Sequence, residues 1–130
     1  MESADYGVGR YLDEPYESAL PRVVQALKAE GFGVISEIDV RHTMQEKLGV
    51  DVPPHTILGA CNPHLAHAAL QTEPDLGVLL PCNVVVYATD AGTRVTAVNA
   101  GMMLSMVGNE DLRPIADQVQ ERLDRVIASL

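Results

Sequence analysis

The stretch Ile57-Leu58-Gly59-Ala60-Cys61-Asn62-Pro63-His64 decides how this chain is read. An apolar run that ends in Asn-Pro marks a strand giving way to a helix, because asparagine caps helix N-termini and proline fits the first helical position. Some twenty residues on, Leu79-Leu80-Pro81-Cys82-Asn83 sets a second Cys-Asn pair against a proline. Cys61 and Cys82 are the two cysteines of the chain, one in each segment.

Working outward, Pro53-Pro54 forces an extended approach to a strand over His55–Ala60. The helix after Asn62 turns Leu65, Ala66, Ala69 and Leu70 inward and closes at Glu73-Pro74-Asp75. Leu76–Ala88 then reads as a long apolar strand interrupted by Pro81, which cannot donate to a sheet ladder and implies an edge or a bulge. Thr89–Thr93 has hairpin-turn chemistry, and Arg94–Asn99 alternates as the return strand.

Upstream, Ala4–Leu12 is a strand loosened by Gly7 and Gly9. A helix follows with Ala19, Val23 and Leu27 on its apolar stripe and Gly31 as its stop. Pro21 predicts that this helix starts near Ser18, as its N-cap, since proline breaks a helix interior. Phe32–Ile38 alternates again. Asp39 caps a short helix carrying Val40, Met44 and Leu48, which Gly49 ends. Downstream, the methionine-rich Met102–Met106 reads as core filling or a dimer contact. It precedes a long helix with Leu112, Ala116, Val119, Leu123 and Val126 in one stripe, Asp111 as N-cap and Glu121 paired to Arg125.

This order predicts one α+β domain over residues 1–130, a two-layer sandwich with helices on one face of a mostly antiparallel sheet. The other face then needs a cover, and a homodimer supplies one. The 130 residues suffice for a hydrophobic core without metal or disulfide staples. A net charge of −9 argues against nucleic acid and anionic membranes as partners. No apolar run is long enough to span a bilayer, and the acidic start, Met1-Glu2-Ser3-Ala4-Asp5, is no signal peptide. The expected location is the cytoplasm, where thiols stay reduced.

Three ordered segments resemble the domain of unknown function 302 family: Gly31-Phe32-Gly33-Val34 running into Glu37-Ile38-Asp39, then Leu58–Pro63, then Leu79–Tyr87. The resemblance runs from about Tyr6 to Met103. It implies a compact α+β fold similar to the TATA-binding-protein type, often homodimeric, and no established activity. The chain departs from that pattern at His55, where the family more often has an aromatic residue, and at Asn99-Ala100-Gly101, which lacks a proline.

Cys61, Asn62, Cys82 and Asn83 are the candidate ligand-binding residues. Cys61 stands just before a helix N-cap, where free N–H groups and the helix dipole favour a thiolate. Cys82 follows a proline that can re-aim it toward the same pocket. The alternative is that both are small core residues. Cys61, His64 and His67 spell Cys-x-x-His-x-x-His, and with Cys82 this suggests a soft-metal site, although the spacing matches no strong zinc signature. Surface histidines explain the same pattern. Catalysis would take Cys61 as nucleophile with His64 or His67 as base and Asn83 or Asp75 as orienter. The expected function is accordingly a small-ligand or soft-metal binding or sensing module, with a thiol-dependent enzyme and a purely structural domain as alternatives. No cofactor follows from these residues.

Overall fold

A computed structural model describes residues 2–130; Met1, the first residue of the expected domain, lies outside them. All six strands join one sheet, β1 (Glu2–Ala4), β2 (Gly7–Leu12), β3 (Gly33–Asp39), β4 (His55–Cys61), β5 (Cys82–Thr89) and β6 (Gly92–Val98), in the order β1-β2-β6-β5-β4-β3. Every neighbouring pair is antiparallel. The helices are α1 (Tyr16–Ala29), α2 (Val40–Leu48), α3 (Pro63–Thr72), α4 (Ala100–Ser105) and α5 (Arg113–Ala128). The α+β class expected from the sequence is the class observed.

Alternation in the strands builds the core. Leu58, Val84 and Ala97 align in register across β4, β5 and β6, and all three are buried. Against this face lie Ala19, Val23 and Leu27 of α1 with Ala116, Val119, Leu123, Val126 and Ile127 of α5, the stripes read from the sequence. Truncating a side chain as enclosed as Leu58 costs about 2–5 kcal/mol. Polar groups tie the layers together. Arg10 on β2 donates to the carbonyls of Ile127 and Ala128 at 3.3 and 3.2 Å, satisfying the open C-terminal end of α5. Arg125 pairs with Glu30 at 2.9 Å, not with Glu121, and so joins α5 to the end of α1.

Several local expectations hold. Asp39 caps α2 by accepting from the His42 N–H, and Gly49 ends that helix at φ 67°. Gly31, at φ 86°, closes α1 in a Schellman turn, with Phe32 N–H donating to Leu27 and Gly31 N–H to Lys28. Thr89 and Gly92 pair around the two-residue hairpin loop Asp90-Ala91.

Others need correction. α1 begins at Tyr16, and Ser18 instead donates to Pro15 and Glu14; Pro21 sits inside the helix. Pro21 and Glu17, one turn before it, both lie on the exposed face, where solvent can hydrate the carbonyl that proline leaves without a donor. The long strand from Leu76 is really a 3₁₀ turn over Pro74–Leu79, then a cis Leu80-Pro81 bond, then β5. β5 is a central strand, and Pro81 precedes its first residue, so Pro81 marks neither an edge nor a bulge. The register shift lies in β3, between Val34 and Ser36. Asp111 does not cap α5: Asn109 caps a short 3₁₀ turn over Glu110–Leu112, which leads into the helix. The first strand is a hairpin, β1 turning at Asp5-Tyr6 into β2.

Among the described side chains, those on the sheet face opposite the buried Leu58 row are half-buried or exposed. Ile38, Ile57, Val85 and Thr96 form one register row there, and His55, Tyr87, Arg94 and Tyr11 form another. His55 and Tyr87 stack at 5.2 Å, and the Arg94 guanidinium lies 4.5 Å over the Tyr11 ring.

Candidate functional site

β4 ends at Cys61, and Asn62 turns the chain into α3. The Asn62 side chain accepts from the Leu65 N–H at 3.2 Å, and its carbonyl accepts from Ala66 at 2.9 Å. The cap therefore fixes the direction of α3, which runs beside the start of α5 and over the 3₁₀ turn before β5. Pro74, Leu76 and the cis Leu80-Pro81 bond return the chain to the sheet, where Cys82 pairs with Ala60. Two chain segments that resemble each other in sequence thus meet on neighbouring strands, their cysteines one residue out of register.

Between them lies a cavity of about 280 Å³. Cys61, Asn62 and Cys82 border it, together with apolar side chains that include Phe32, Leu65, Leu76 and Val119. Three of the four predicted ligand-binding residues are therefore together. Asn83 is not with them: one step further along β5 it points to the opposite sheet face and is exposed. His64 and His67 are also exposed on α3 and do not line the cavity. The sequence reading missed Ile35, Leu80 and Ile115 as wall residues. Ile35 is the residue skipped by the register shift in β3, which no hydrophobic period reveals.

Both cysteines are free thiols. Cys82 is only 6% exposed. Burial pushes its thiol up to about 11 from an ordinary 9.0, and the nearby Cys61 adds to the rise, since two thiolates would repel. At neutral pH Cys82 is a small apolar group with a proton on sulfur. Among the described residues no three His, Cys, Asp or Glu side chains come together in a way that could hold a metal ion. Among the described residues no carboxylate or imidazole lines the cavity beside Cys61.

Gly59 makes the tight crossing behind this site. A Cβ there would collide with Ser36 Oγ and come within 2.7 Å of the Pro81 ring. Glycine is what lets β3 and the proline segment close over β4.

Among curated proteins none matches this chain. The crystal structure of an uncharacterised conserved DUF302 protein from Bacillus stearothermophilus superposes with a TM-score of 0.87 at 30% identity, covering 96% of this chain and 98% of that one. Residues 9–130 match the family described as domain of unknown function DUF302. From the capped Cys-Asn-Pro turn to the proline-led central strand, the chain belongs to the DUF302 family.

Proposed function

We propose that this protein is a binding module for a small organic ligand held in the cavity between α3, α5 and the Cys61–Cys82 end of the sheet. The observation that carries the reading is the cavity itself: concave and lined by apolar side chains, with Asn62 and the two cysteines as its polar members, the usual make-up of a small-molecule site. An organic ligand is favoured over a soft metal. Cys82 resists the deprotonation that metal binding needs, and no third ligand side chain is gathered there. It is favoured over thiol catalysis because, among the described residues, no general base lines the cavity with Cys61.

The test is a calorimetric titration of the reduced protein with decanol and with a bulky cage alcohol of ten carbons. Saturable heat at one molecule per chain from at least one of them, lost in Ala69→Phe (which fills the cavity), is the expected result. Heat that never saturates, or that survives Ala69→Phe in a folded variant, refutes the proposal. The uncovered sheet face supports a second part of the reading, a homodimer in which a second copy covers the row Ile38, Ile57, Val85.

A further inference from the structure

We propose that the ligand is an uncharged, unbranched aliphatic chain that enters the cavity end-on and leaves its polar end at the mouth. The inference rests on the cavity being the ligand site and goes on to name the chemical class. Its first support is the wall. Leucine, isoleucine, valine and alanine dominate it, and the one aromatic side chain, Phe32, is only 2% exposed, so it offers no open face on which a flat ring could stack. Aliphatic walls of this kind recognise methylenes.

The second support is charge. Among the described residues no Lys, Arg, His, Asp or Glu lines the cavity. The Asn62 side-chain oxygen is already committed to the Leu65 N–H, and Cys82 keeps its proton. An ionised group taken inside would lose its water and find no opposite charge, which is costly. A neutral chain loses nothing, and its polar end stays in solvent.

The third support is the mouth. Ile35 and Leu70 both line the cavity, yet they are 66% and 38% exposed. They make a continuous apolar path from the buried wall to solvent, and a chain lying along it would shield both. The register shift in β3 is what places Ile35 there, an irregularity of the kind that re-aims a side chain at a site. A compact ligand sealed inside would leave both residues wet. The volume, at the lower end for organic ligands, suits a short chain.

The experiment is the same calorimetric titration of the reduced protein with the straight-chain alcohols from butanol to decanol, with the bulky cage alcohol of ten carbons as comparison. Affinity is expected to rise about fourfold per added methylene and then level off once the cavity is filled. The cage alcohol is expected to bind at least tenfold more weakly than decanol. Ala66→Leu, which adds volume to the wall from α3 without a poor helix former, is expected to move the levelling point to a shorter alcohol; its urea midpoint verifies folding. If straight and cage alcohols bind equally and Ala69→Phe abolishes both, the chain assignment is overturned while the cavity remains a ligand site. A slope that never levels and ignores Ala66→Leu means surface adsorption and also overturns the assignment. If neither decanol nor the cage alcohol binds at all, both this inference and the function it rests on fall.

Discussion

Raising the pH tests the environment of Cys82 directly. Its thiol ionises near 11 in the folded protein against 9.0 when unperturbed, chiefly through burial and secondarily through the Cys61 charge. Above pH 9 the unfolded chain sheds this proton first, so it binds fewer protons than the folded chain and stability falls as pH rises. The contribution is intact below pH 9, declines between 9 and 11, and is gone above 11. Two pH units correspond to about 3 kcal/mol, a large part of the stability of a domain this size. Urea unfolding from pH 8 to 11.5 measures it, with Cys82→Ala as the reference that cancels the lysines and tyrosines titrating in the same range. The wild type is expected to lose about 3 kcal/mol more than Cys82→Ala across that window. In Cys61→Ser, where Cys82 is the one thiol, reaction with a coloured disulfide reagent at pH 8 is expected to be at least thirtyfold slower in native than in unfolded protein. Parallel stability curves for wild type and Cys82→Ala, or native and unfolded rates within tenfold, would refute the burial argument.

Asn62→Ala removes the α3 cap and is expected to cost about 1 kcal/mol in urea unfolding and to weaken decanol binding, since α3 forms one wall. Gly59→Ala is expected to destabilise by about 1–3 kcal/mol, because its Cβ meets Ser36 Oγ and Pro81; Ser36→Gly in the same chain should recover part of the loss, and full independence of the two changes would argue against the contact. Val85→Lys, placed in the centre of the open sheet face, is expected to convert a particle of twice the 14.0 kDa chain mass to a monomer in light scattering; a wild type already monomeric removes the dimer proposal.

What could be read in the sequence were features encoded within a few residues. Asn62-Pro63, Asp39, Gly31 and the Asp90-Ala91 turn each carry their own local chemistry, and each stands where that chemistry puts it. The stripes of α1 and α5 were equally plain, because a helix buries one face whatever it packs on. Cys61, Asn62 and Cys82 lie together because β4 ends and β5 begins on neighbouring strands, each boundary marked in the sequence by a proline. Asn83 misled because its neighbour Cys82 takes the core side, and strand alternation sends the next residue to the other face. His64 and His67 misled because helical spacing says that they share a face without saying which one. Pro21 was read too strictly, since a proline on a wet helix face costs less than one facing the core. Pro81 misled through an apolar run that combined a 3₁₀ turn and a strand, and length alone cannot separate them. The register shift at Ile35 answers to pairing with β4, a partner some twenty residues away, and leaves no local trace.

The strand order has a consequence for how the chain is made. β3 to β6 lie side by side in the order in which they are synthesised, so each can settle on the one before it as it leaves the ribosome. β2 pairs with β6, from Gly7 against Val98 to Leu12 against Thr93, and must wait for more than eighty further residues before its partner exists. The earliest-made hairpin is therefore among the last pieces to dock, and the final helix, whose end Arg10 closes, arrives later still. During synthesis the growing edge at β6 and the waiting hairpin are both open to pairing with another nascent chain. A polysome crowded with copies of this protein offers that wrong partner at close range, so its yield should depend on how quickly translation delivers residues 92–128 once β5 has emerged.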